Sequence, residues 1–219
     1  MDSKLLQILD SSRVSSPTRK VLNSRLEAVQ KQSSLQAKPY EPKAITPAAF
    51  AVLEHMIARL LLEDVHEGVD SYEVGQPSHV IAMQLEESRA TGKGNGWRYG
   101  TLPSDAEALS QGLDLLEKTA MAEHQASFIQ LSTDQQEMLL ARVQHGKVHW
   151  PGFDSVRWFE EVLADATELY ISHPGRMLQL GIDAFADDPD GWSEIGLNNT
   201  QSWEPEAPLP ATGTEGRRR

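Results

Sequence analysis

Apolar residues recur at helical spacing along nearly the whole chain, each run opened or closed by a capping residue. The alternation that marks a strand is almost absent. That period restricts the 219 residues to an all-α architecture. Ser16 followed by Pro17 reads as an N-cap with proline in the first turn, and Val21, Leu22, Leu26 and Val29 follow as one apolar stripe. Ser33 to Ile45, with Pro39 and Pro42, reads as a linker. Thr46-Pro47 opens a second helix, with Phe50, Leu53, Ile57, Leu60 and Leu61 on its buried face.

A shorter helix is predicted from Gln76 to Arg89, then a loop through Gly92-Lys93-Gly94-Asn95-Gly96. Ser104 with Glu107 has the spacing of a capping box ahead of Leu109, Leu113, Leu116 and Ala120. Ser132 with Gln135 repeats it ahead of Met138, Leu139 and Val143, and Gly146 stands where a C-terminal cap belongs. Asp154 can cap a last long helix through Phe159, Val162, Leu163 and Ala166 to Tyr170, with Pro174 beyond it. From Gly181 onward, Gly, Asp and Pro predict irregular structure. The fold expected is an all-α bundle of about five to seven helices. Residues 1–45 form an N-terminal helical extension and linker, 46–203 the helical domain, and 204–219 a disordered tail.

Composition narrows the chemistry. With no cysteine, disulfides, thiolate metal sites and a cysteine nucleophile are excluded. A net charge of −12 opposes binding to nucleic acid or to an anionic membrane, the only basic run being Arg217-Arg218-Arg219. No apolar stretch is long enough for a membrane span, so direct membrane insertion is not expected. Met1 to Leu6 lacks a basic region followed by an apolar one. No signal peptide is therefore expected, and the location expected is cytoplasmic, or periplasmic where a partner carries the chain there.

Candidate catalytic patterns are incomplete. The glycine run has G-x-G-x-G spacing with no strand before it and no Lys followed by Ser or Thr, so it reads as a connection and not a phosphate cradle. Glu63-x-x-His66 sets a carboxylate and an imidazole one helical turn apart, as di-iron bundles require, but those need the motif twice and it occurs once. His145 and His149 are four apart with Gly146 between them, and His145 suits a helix C-terminus. The carboxylate pairs Glu160-Glu161 and Asp187-Asp188 read as solvated faces, and no serine sits in a G-x-S-x-G elbow. No catalytic, cofactor-binding or metal-ligating residue is assigned. The five tryptophans are more informative, as core plugs or interface anchors. Trp158, inside a helix beside Phe159, is expected to be buried, and Trp203, in a tail that cannot build a core, to meet a partner.

From about Ile45 to Asn198 the chain resembles the gluconate 2-dehydrogenase subunit 3 family. The likeness runs through Thr46-Pro47-Ala48-Ala49-Phe50-Ala51-Val52-Leu53, Trp97-Arg98-Tyr99, Gly112-Leu113-Asp114-Leu115-Leu116 and Phe128 to Gln136. It closes with Phe159 to Leu163, Thr167 to Pro174, Gly181 and Asp190-Gly191-Trp192. The resemblance implies a non-catalytic helical small subunit that supports a large FAD-dependent partner of the glucose–methanol–choline oxidoreductase type. That partner would hold the FAD, oxidise a sugar, sugar acid or glycoside, and in some complexes pass electrons to a cytochrome c subunit. Two departures are visible. The N-terminus lacks the twin-arginine signal of many members, and Gly175-Arg176-Met177 stands where many have a Gly-Gly-Asn turn.

A docking subunit should present apolar surface beyond the needs of its own core. Partner contacts are expected at Tyr170, His173, Pro174 and Trp192, with Trp97 and Arg98 as a second contact and Trp203 from the tail. Two alternatives stand beside this reading: a di-metal helical oxidase built on Glu63 and His66, and a stand-alone adaptor or chaperone that docks through the helix from Pro17 to Gln32.

Overall fold

The computed structural model describes residues 7, 9–10, 14–33, 39–61, 77–92, 100–173 and 176. Among them are six α-helices, one 3-10 turn and no strand: α1 (Ser16–Ser33), α2 (Pro47–Leu60), α3 (Pro77–Ala90), α4 (Asp105–His124), the 3-10 turn Phe128–Gln130, α5 (Thr133–Gln144) and α6 (Ser155–Ile171). The all-α expectation is met. The segment read as irregular beyond Gly181, and the tail from Glu204, lie outside the described residues.

The helix ends follow local chemistry. Thr46 caps α2 by accepting from the Ala49 amide at 3.1 Å, with Pro47 in the first turn, where its missing N–H costs nothing. Ser132 and Gln135 form the expected reciprocal box at α5: the serine hydroxyl accepts the Gln135 amide at 3.3 Å, and the Gln135 side chain accepts the Ser132 amide at 3.0 Å. Beyond α5, Gly146 adopts φ +64°, the Lys147 amide donates to Arg142 O at 2.8 Å and the Gly146 amide to Val143 O at 3.1 Å. That pair of bonds is a Schellman ending, the reason glycine stands there. Asp154 caps α6 through the Arg157 amide at 3.1 Å.

Two expected caps differ. At α1 the capping hydroxyl belongs to Ser15, which accepts the Thr18 amide at 3.4 Å, so Ser16 falls inside the helix. At α4, Ser104 makes no side-chain cap bond, and the Glu107 carboxylate accepts Gln111 Nε2 at 3.0 Å.

Helices α2 to α6 share one core. Helix α3 packs on α2, α4 and α6, and α2 also meets α4, α5 and the 3-10 turn. Phe50, Leu53 and Ile57 are buried on α2 as expected, while Leu60 and Leu61 are only partly covered. Leu109, Leu113, Leu116 and Ala120 line the buried face of α4. On α1, Leu22 and Leu26 bury in a separate small cluster with Leu9 and Val14, whereas Val21 is exposed, since the stripe has a four-residue step that leaves Val21 off its face.

At the centre, Trp158 is fully buried as expected and lies on Gly112 of α4. A Cβ at Gly112 would stand 2.1 Å from the indole, so only glycine lets α6 approach this closely. Trp150 meets Trp158 edge-on with ring centroids 5.6 Å apart and donates its Nε1–H to Thr119 Oγ1 at 3.0 Å; Phe153 completes the group. Trp150 is therefore a core plug.

Alanine is the better helix former by about 1 kcal/mol, but at residue 112 overpacking should dominate. Gly112→Ala is expected to lose about 2 kcal/mol net or more in urea unfolding, with a shift in tryptophan emission.

Candidate docking surface and buried charges

Of the expected contact residues, the structure describes Tyr170 and His173, at the end of α6. The buried stripe Trp158, Phe159, Val162 and Ala166 turns toward the core, which carries Leu169 and Tyr170 onto the core's edge as partly buried residues. The helix closes at Ser172, whose amide donates to Glu168 O at 2.9 Å, and Ile171 is left 40% exposed. Tyr170 and His173 are both half-buried. The Arg176 guanidinium stands 4.3 Å over the Tyr170 ring, a cation–π contact worth about 0.5–1 kcal/mol in such a setting, and the Arg176 amide donates to His173 O at 2.9 Å. This end therefore has an exposed aliphatic side chain beside an aromatic face that a cation already covers. Trp97, Arg98, Pro174, Trp192 and Trp203 lie outside the described residues, as do Glu63 and His66. Other exposed apolar side chains are Met138 on α5, Met121 on α4 and Ile129.

The structure also buries charge that the sequence reading placed in solvent or did not single out. Glu161, taken with Glu160 as a solvated pair, is buried. It lies one turn beyond Trp158 and beside Val162, on the inward face, while Glu160 points outward to Arg157 at 2.6 Å. Arg89 of α3, also buried, gives Nε and Nη2 to Asp165 Oδ2 at 3.1 and 2.6 Å and Nη1 to Glu161 Oε2 at 3.5 Å. One guanidinium thus ties the end of α3 to two turns of α6.

Glu86, three residues earlier, is fully buried. Its Oε1 accepts the amides of Lys43 and Ala44 at 2.6 and 2.5 Å, and its Oε2 accepts the Tyr40 hydroxyl. The Tyr40 ring packs on Phe50 with centroids 5.1 Å apart, and Ile45 enters the core. The last part of the stretch read as linker is therefore packed into the bundle. Burial first, then the bond to Glu86 and the charges of Glu86 and Glu87, push the Tyr40 phenol well above its ordinary value of 10. Nearer the surface, Arg142 makes a two-pronged bond to Glu123 at 2.6 and 2.9 Å, joining α5 to α4. That bond holds the Glu123 carboxyl below, and the Arg142 guanidinium above, their usual values.

The signal for these buried charges was present in the spacing. Glu86 and Arg89 follow Ala82 and Leu85 on α3 at three- and four-residue steps, in phase with the apolar face. Both histidines near the end of α5 are exposed, and His145 bonds through Nδ1 to Ala141 O at 2.6 Å, a local helix-end contact. Among the described residues no three His, Asp or Glu side chains gather as a metal site, and no helix is long and apolar enough to cross a membrane.

The fold is thus that of an all-α bundle whose described polar clusters join its helices. Residues 47–205 match the gluconate 2-dehydrogenase subunit 3 family, and the chain belongs to that family. By its description the family is one of dehydrogenase subunits, which implies a catalytic partner. Comparisons with curated proteins and with solved structures each returned no match.

Arg89→Ala takes the guanidinium away from the buried Glu161 and the partly buried Asp165 and is expected to destabilise the bundle by about 3 kcal/mol or more in denaturant unfolding. For Tyr40 the sign follows from its raised folded-state value. Its contribution is complete below pH 10, the ordinary tyrosine value, and is lost as pH rises above it. Thermal melts of Tyr40→Phe and the parent should therefore differ most at neutral pH and converge on the alkaline side.

Proposed function

We propose that this chain is the non-catalytic small subunit that binds and stabilises the FAD-containing catalytic subunit of a sugar, sugar-acid or glycoside dehydrogenase. The observation that carries this is the family match, which spans all five helices of the main bundle. The FAD belongs to the partner, a large oxidoreductase of the glucose–methanol–choline type, from which a cytochrome c subunit can take the electrons. The complex resides in the cytoplasm unless the partner carries it across a membrane.

Docking is assigned to Tyr170, His173, Pro174 and Trp192, with Trp97 and Arg98 as a second contact and Trp203 from the tail. Physical support comes from Ile171 and Tyr170. An aliphatic side chain 40% exposed beside a half-exposed aromatic ring has surface to lose to a partner, and aromatic anchors with a neighbouring arginine are the residues that dominate such interfaces. The subunit's role follows from that contact: binding only the folded partner raises its stability by mass action.

The test is purification of the tagged chain from its native cells. The expected result is a large protein in stoichiometric amount, identified by mass spectrometry as a flavoprotein dehydrogenase and carrying flavin absorbance. Recovery of the chain alone, or with stoichiometric iron or manganese and no flavoprotein, overturns the proposal. Because Ile171 is exposed, Ile171→Glu should leave the thermal midpoint nearly unchanged while weakening retention of the flavoprotein roughly tenfold or more, as charge placed in an apolar contact does.

A further inference from the structure

We infer that residues 39–45 are a strap latched shut by Glu86, so that the working unit begins at Pro39, ahead of the family match that starts at residue 47. Glu86 is fully buried on α3, and the hydrogen bonds it accepts come from one short segment: two consecutive main-chain amides on one oxygen and a phenol on the other. A carboxylate buried without donors is costly, whereas one that accepts several amide and hydroxyl bonds has that cost offset. The charge on α3 therefore favours a seated strap over any lifted one.

Apolar contacts act in the same direction. Ile45 is in the core, Ala44 and Tyr40 pack against it, and the Tyr40 ring covers Phe50 of α2. Lifting the strap would expose Ile45, uncover Phe50 and strip Glu86 of three donors together. These losses share one cause, so partial opening recovers none of them, and the strap opens as a unit. The exposed pair of Lys43 Nζ with Glu87 adds little, since surface ion pairs are weak.

The latch also separates the N-terminal extension from the bundle. Helix α1 has its own small core of Leu9, Val14, Leu22 and Leu26, and residues 34–38 lie between it and the strap. Disturbance of α1 should stop at the strap and leave the α2–α3 edge closed.

Hydrogen exchange on the full-length chain, resolved at the amides of Lys43 and Ala44, tests this. Glu86→Ala is expected to speed exchange at both amides by roughly tenfold or more while the α4 and α6 amides keep their protection. Tyr40→Phe, which keeps the carboxylate and removes one donor, should give a smaller acceleration in the same direction and serves if Glu86→Ala does not fold. The double variant Leu22→Asp with Leu26→Asp should dissolve the α1 cluster and leave Lys43 and Ala44 within about twofold of the parent. Unchanged exchange at Lys43 and Ala44 in both strap variants overturns the latch. So does acceleration in the α1 variant equal to that in Tyr40→Phe, which would make the extension and the strap one unit.

Discussion

A tryptophan resting on bare backbone sets the geometry of the bundle. Trp158 lies where a side chain on α4 would otherwise be, and Gly112 is the residue that leaves the room. The close approach brings α6 against both α3 and α4, and the loop before α6 folds Trp150 and Phe153 around the same indole. The indole Nε1 has no hydrogen-bond partner among the described residues. Leaving it unpaired costs about 1–3 kcal/mol, which burial of so large a ring and its aromatic neighbours offsets.

Once α6 is held at that distance, the register of the remaining helices depends on polar contacts that work only in one arrangement. Arg89 reaches Asp165 and Glu161 because α3 and α6 are close, and Glu123 reaches Arg142 across α4 and α5. Apolar packing tolerates sliding by a turn, since leucines and valines are similar in shape. A buried guanidinium does not, because a one-turn slip would break the arrangement in which it meets both carboxylates together. These charges are placed to fix a helix arrangement, and the His145 ring is likewise spent on a helix end.

The α6 end is built in a way that suits the docking role proposed for it. The core and its charge pairs hold α6 firmly up to Leu169, and the helix then closes through Tyr170 and Ile171 at Ser172, with His173 just beyond. A rigid support carrying a few half-exposed side chains loses little conformational entropy on binding. The family match runs past this turn to residue 205, so the α6 end lies within the part of the chain that the family shares.

Much of this was fixed by local chemistry and legible in the residue order. The helical period gave the class, Thr46-Pro47, Ser132 with Gln135, Gly146 and Asp154 marked helix ends, and Trp158 could be assigned to the core because a tryptophan inside an apolar stripe has nowhere else to go. Caps involve bonds within three or four residues, so sequence alone suffices to propose them, although Ser104 at α4 makes no such bond. What tertiary structure decided was the partner of each buried charge. Glu161 and Glu160 are adjacent and chemically identical, yet one faces Arg89, 72 residues away in sequence, and the other solvent. The segment around Tyr40, rich in proline and polar residues, looks like a linker until a carboxylate 46 residues further on binds it. Such assignments depend on which helix faces become neighbours, and long-range packing sets that.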